Sequence, residues 1–98
     1  METLASKTAF ITGGSTGIGL GMATIFARHD MNVVITDIRD DALAIAEQHL
    51  KQITERVLTL NVDSTDLDAL TTAAEAVERT FGPLHLLCNN AGVTGGAK

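Results

Sequence analysis

Short apolar runs alternate along the chain with segments whose apolar residues recur at helical spacing. Residues 7–12 form an apolar run that stops at a glycine-rich loop, as a buried parallel strand does. Ile18, Met22, Ile25 and Phe26 then predict a helix ending near His29 and Asp30. Residues 32–37 are β-branched and continuous, a second buried strand. Asp40 or Asp41 can cap the next helix, whose inner face is Leu43, Ala46, Leu50 and Ile53. A third strand is predicted over residues 56–61. Asp63 and Asp66 resemble a capping box with Asp in place of Glu, opening a helix with Leu67, Leu70, Ala74, Val77 and Phe81 on one face. Gly82-Pro83 ends that helix, residues 84–89 form the fourth strand, and residues 92–98 are glycine-rich and unpatterned.

The predicted order is β-α-β-α-β-α-β with short loops. Alternation of buried strands and amphipathic helices implies an α/β fold with a parallel sheet and right-handed crossovers. Without repeat, linker or second pattern, the 98 residues read as one domain.

Composition narrows the chemistry. The core must be aliphatic, because the chain has three Phe, no Trp and no Tyr. The missing tyrosine also removes any phenol for acid–base work. Seven basic and twelve acidic residues give a net charge of −5, scattered and without a basic stripe. Nucleic acid and anionic membrane surfaces are therefore not expected partners. The single cysteine, Cys88, reads as a small buried hydrophobe at a strand end, and no Cys/His cluster has metal spacing. Residues 1–4 lack the basic and apolar regions of a signal peptide, and no apolar run approaches transmembrane length. A cytoplasmic protein is expected. His29, His49 and His85 have no partner at triad or ligand spacing and read as structural or solvent-facing.

The segment Thr12-Gly13-Gly14-Ser15-Thr16-Gly17-Ile18-Gly19 lies between the first strand and the first helix. A nucleotide pyrophosphate needs backbone N–H groups and the positive end of a helix dipole, with side chains absent where the backbone passes close. Gly13 is suited to a tight turn, Gly17 to close approach and Gly19 to packing of helix on strand. Ser15 and Thr16 add hydroxyl donors. The spacing T-G-x-x-x-G-x-G is not the G-x-G-x-x-G fingerprint, and no Lys-Ser or Lys-Thr follows for a P-loop. A plain structural turn is the competing reading of the loop alone.

Asp37 ends the second strand eighteen residues beyond Gly19, near where a carboxylate meets an adenosine ribose. It accepts from free ribose hydroxyls and repels a 2′-phosphate, which argues for NAD over NADP. Arg39 reads as a solvated loop residue. The fourth strand runs into Asn89-Asn90-Ala91-Gly92, beside the first strand if the order is 3-2-1-4. That is the switch point where such sheets bind ligands, and small residues there leave room for a ribose.

Together, T-G-x-x-x-G-x-G, an acid ending strand two and N-N-A-G ending strand four resemble the short-chain dehydrogenase/reductase family, and they span nearly the whole chain. The resemblance implies a Rossmann-type sheet in the order 3-2-1-4 with flanking helices, truncated after the fourth strand, so that residues 1–98 are a partial NAD(P)-binding domain. It implies a cofactor site in which Gly13, Ser15, Thr16, Gly17, Ile18 and Gly19 frame the pyrophosphate and Asp37 reads the ribose. Asn90, Ala91 and Gly92 would line the ribose region, while Thr12 and Asn89 would stabilise the junction of strands one and four. Where family members carry Asp-Val to frame the adenine, this chain has Asn61-Val62.

The family's Asn-Ser-Tyr-Lys tetrad has no counterpart here, so the resemblance implies no catalytic residue within these 98 and no turnover by this chain alone. The complete enzyme would interconvert a small alcohol and a carbonyl compound by hydride transfer and would form a homo-oligomer. An exposed apolar edge is expected over residues 84–88. The competing readings are a non-catalytic nucleotide- or partner-binding module and a methyltransferase, which shares the sheet and the acid but does not explain N-N-A-G.

Overall fold

In a computed structural model, which describes residues 4–90, strands and helices alternate along the chain. The strands β1 (Thr8–Thr12), β2 (Asn32–Asp37), β3 (Val57–Asn61) and β4 (Leu86–Asn89) are connected by the helices α1 (Gly17–Arg28), α2 (Asp40–Lys51) and α3 (Leu67–Phe81). All pairings are parallel and the order is β3-β2-β1-β4, as expected. The register sets Thr12 level with Thr36 and with Asn89, and Asp37 level with Asn61. The four strand ends therefore finish along one line, where the connecting loops meet.

Strand alternation divides the core between two faces. Ala9, Ile11, Val33 and Ile35 are buried in one cluster with Ala23 and Ala27 of α1 and Leu43, Ala46 and Leu50 of α2. Phe10 and Val34 form the other cluster with Ala73 and Val77 of α3.

The buried stripe of α1 is Gly19, Ala23 and Ala27. Of the four residues whose spacing predicts this helix, Ile18 and Ile25 are 71% and 54% exposed, and Met22 and Phe26 are half-buried at the flank of the core. Small residues at four-residue spacing let a helix approach a sheet closely, so the deepest stripe is the one without bulk. Leu43, Ala46 and Leu50 form the inner face of α2 as expected, but the helix ends at Lys51 and Ile53 is half-buried beyond it. On α3, Leu70, Ala74 and Phe81 pack partly against the core, but Leu67 lies outside it at 75% exposure.

The helix starts also differ from expectation. Asp66 itself caps α3, its Oδ1 accepting from the Ala69 N–H at 3.1 Å. Asp63 instead closes the preceding turn, accepting from the backbone N–H and hydroxyl of Thr65, which hold its carboxyl below the ordinary range. Neither Asp40 nor Asp41 is the N-cap of α2: Arg39 holds that position, and both acids sit in the first turn, where they face the positive end of the helix dipole.

At the entry to β4, the His85 N–H donates to the Thr8 carbonyl, and its Nδ1 accepts from the Thr8 N–H at 3.0 Å. That is a structural role for this histidine. Among the described residues β4 pairs only with β1, leaving Leu86 and Leu87 39% and 62% exposed, the apolar edge expected. No helix among the described residues is long and apolar enough to cross a membrane.

Candidate functional site

The loop from β1 to α1 turns on Gly13, whose φ of +64° is the left-handed conformation that glycine adopts without strain. Gly17 starts α1 with a φ of +59°, and a Cβ built there would meet nothing within 4 Å, so this position faces open space. Close approach falls instead on Gly19 and Gly14. A Cβ on Gly19 would run into the Gly13 carbonyl oxygen and come within 2.8 Å of Asn90 Nδ2. Gly19 thus packs the helix against the loop and the end of the fourth strand, more than against a strand itself. Gly14, not singled out from the sequence, is pressed onto β2: a Cβ there would stand 2.6 Å from Ile35 Cγ2. The signal was present in the Gly13-Gly14 pair, but spacing alone does not reveal which strand the backbone crosses.

The first turn of α1 has neither a side-chain cap nor an acidic residue. By contrast, α3 is capped by Asp66 and α2 carries two acids in its first turn. The N–H groups at the start of α1 are thus not taken by a side-chain cap, and no acid in the first turn opposes an anion there. Ile18 is exposed in this first turn.

Asp37 is buried at the end of β2 with 7% exposure, and four donors converge on it. The Ser15 hydroxyl donates to Oδ2. The Arg39 guanidinium forks across the carboxylate, Nε to Oδ1 at 3.0 Å and an Nη to Oδ2 at 2.9 Å, and the Arg39 backbone N–H donates to Oδ1. The Arg39 hydrogen bonds, with smaller help from Ser15, outweigh burial and lower the Asp37 pKa to about 2. The same guanidinium reaches Thr16 Oγ1 at 3.2 Å, joining the glycine loop to the β2–α2 turn. Arg39 is therefore not simply a solvated loop residue, although its side chain is 53% exposed. The i, i+2 spacing of acid and base at the strand end was the available signal. A two-residue turn brings the fork back over the carboxylate.

At the other side of the loop, Thr12 Oγ1 donates to Asn89 Oδ1 at 3.0 Å, stapling β1 to β4. Asn90 Nδ2 donates to the Gly13 carbonyl at 3.1 Å, so the end of β4 holds the glycine turn. Ala91 and Gly92 lie outside the described residues. The pair Asn61-Val62 is split. Val62 lines a cavity of about 230 Å³ together with Gly13, Thr36, Asp37 and Ile38. The Asn61 amide turns to the start of α2, donating to Asp40 Oδ1 at 2.6 Å and to the Ile38 carbonyl at 3.3 Å. Cys88 is half-buried, and burial raises its thiol pKa, as for an inert side chain.

The profile described as short chain dehydrogenase matches residues 7–98. The chain belongs to the short-chain dehydrogenase family. A curated relative, oxidoreductase UcpA of Salmonella typhimurium, is 39% identical over 95% of this chain and 35% of its own length. The L-sorbose reductase of Gluconobacter frateurii, solved with NADPH and L-sorbose, superposes with a TM-score of 0.80 at 32% identity, covering 89% of this chain and 34% of that one. A short-chain dehydrogenase/reductase of Burkholderia phymatum, solved with NAD, gives a TM-score of 0.83 at 30% identity, covering 89% of this chain and 31% of that one. The chain thus spans about a third of the length of the short-chain dehydrogenases it matches.

Proposed function

We propose that this chain is the cofactor-binding part, a partial Rossmann domain, of a nicotinamide-dependent oxidoreductase that interconverts a small alcohol and its carbonyl compound, with NAD as the preferred cofactor. The observation that carries the reading is the buried Asp37 carboxylate at the end of β2, tied by Ser15 to the glycine loop. The uncapped start of α1 receives the pyrophosphate, with Gly13 and Gly17 keeping side chains away and Thr16 at hand as a hydroxyl donor. Ribose hydroxyls donate to Asp37 by exchanging with the Arg39 fork, whose exposed guanidinium is free to move aside. Val62 and the backbone of Asn61 flank the adenine side, and Asn90, Ala91 and Gly92 flank the ribose nearer the switch point. NAD in one family member and NADPH in another support a nicotinamide cofactor, and the carboxylate at the ribose is the argument for NAD.

When bound, the nicotinamide supplies the hydride acceptor or donor. The residues of this chain bind and orient it. None is a tyrosine, so they hold no phenol to carry the accompanying proton, and this chain by itself is expected to give no turnover. In the complete enzyme, a homo-oligomer is expected.

Titration of NAD and NADP against the wild type and Asp37→Ala tests the cofactor reading. Removing hydrogen bonds to a charged carboxylate is expected to weaken NAD about tenfold or more and to shrink its advantage over NADP. An unchanged NAD-to-NADP ratio would contradict the role given to Asp37.

A further inference from the structure

A carboxylate offers hydrogen-bond donors about four places on its two oxygens. At Asp37 the folded chain fills them all. The Ser15 hydroxyl and an Arg39 Nη donate to Oδ2, while the Arg39 Nε and backbone N–H donate to Oδ1. Two ribose hydroxyls cannot be added to that set unless two donors leave. Ser15 is buried at 3% exposure, and the Arg39 N–H belongs to the turn after β2. The pair able to leave is the guanidinium, whose side chain is half-exposed.

The fork also has the form of what would replace it. Nε and Nη set two neighbouring donors against the two carboxylate oxygens at 3.0 and 2.9 Å, as two adjacent ring hydroxyls do. The same Nη reaches Thr16 Oγ1 at 3.2 Å, and Thr16 is the N-cap residue of α1. The guanidinium therefore lies across the gap between the glycine loop and the end of β2. The dipole of α1 disfavours a cation at this end of the helix, so it is the ion pair with Asp37 that holds Arg39 there.

We propose that Arg39 is a latch on the ribose seat: its guanidinium stands in for the vicinal hydroxyls and must be displaced before a dinucleotide can bind. The inference rests on the dinucleotide reading and adds a self-occupied form of the same site. Affinity is lowered by the fraction of molecules in which the seat is open. An ion pair this exposed is a weak closure, so the effect is modest and its sign is diagnostic. Where charge alone acts, removing a cation near a pyrophosphate weakens binding. Removing a latch tightens it.

The test is calorimetric titration of NAD against wild type, Arg39→Ala, Arg39→Lys, Asp37→Ala and the Asp37→Ala/Arg39→Ala double variant. Arg39→Ala should bind NAD about 5-fold more tightly than wild type. Arg39→Lys keeps the charge but cannot fork, and it should tighten NAD as well. With Asp37 already replaced, nothing remains to be latched, and removing Arg39 should give no tightening. Inorganic pyrophosphate, too small to reach the ribose seat as well, should bind Arg39→Ala no more tightly than wild type. Unchanged or weaker NAD binding in both Arg39 variants would overturn the proposal. Equal tightening with and without Asp37 would do the same, because the effect would then not pass through the carboxylate. If Asp37→Ala shifts the cofactor ratio while both Arg39 variants bind NAD as wild type does, this inference alone fails. If NAD binds to neither wild type nor variants, the dinucleotide reading fails and this inference with it.

Discussion

Beneath α1 and α2 the sheet buries Ala9, Ile11, Val33, Ile35 and Val57 against Ala23, Ala27, Leu43, Ala46 and Leu50. Beneath α3 the buried apolar cluster among the described residues is smaller, Phe10 and Val34 against Ala73 and Val77, with Leu58, Leu60, Val62 and Leu84 half-buried around them. Among the described residues, the first face has two helices lying on it and the second has one. A cavity of about 450 Å³ opens between Leu60, Val62 and α3, and the smaller one beside Thr36 and Asp37 continues past Val62. The sealed face holds the strands in register, so that Gly13, Asp37 and Asn89 arrive together at the strand ends. The open face leaves apolar walls and the unpartnered Thr36 hydroxyl near that line.

The largest effect that separates the faces is in core truncation. Leu50→Ala removes a side chain with 0% exposure and should cost about 3 kcal/mol by urea denaturation, with loss of transfer energy and a cavity left behind. Leu60→Ala, on the half-buried side, should cost about 1 to 2 kcal/mol, because a partly exposed side chain loses less burial and leaves no closed cavity. Equal costs would erase the distinction between the faces.

A smaller effect sharpens the electrostatics at the strand ends. With its pKa lowered from 3.8 to about 2, Asp37 binds a proton less readily folded than unfolded. Its stabilisation is therefore complete above pH 4 and is lost as pH falls through about 2. The shift corresponds to about 2 kcal/mol at neutral pH, less what salt screens at the exposed guanidinium. Arg39→Ala should lower stability at pH 7 and flatten the acid limb, the two proteins converging near pH 2. Parallel curves for wild type and variant across that range would show that Arg39 does not hold the carboxylate.

Much of this was legible in the sequence. Strand runs such as residues 32–37 are unambiguous because every position is buried, and the loop motif sits where two elements of opposite period meet. What escaped was set by packing. The spacing that marks α1 is that of Ile18, Met22, Ile25 and Phe26, whereas its fully buried residues are Gly19, Ala23 and Ala27, which carry almost no hydrophobic signal. Within the site, Gly13 and Asn90 were found by type and spacing. The Arg39 fork, the Gly14 contact with Ile35, the turning of Asn61 toward Asp40 and the idle Thr36 hydroxyl depend on angles at strand ends, which a residue pattern does not encode.

The central claim is that the sealed face presents the glycine loop and Asp37 as one cofactor seat. Backbone amide shifts on titration with NAD test it most directly. Saturable changes are expected over residues 13–19, at Asp37 and at Val62 and Asn90, with Leu43, Ala46 and Leu50 of α2 unmoved. Saturable changes centred on α2, or none over residues 13–19, would contradict it.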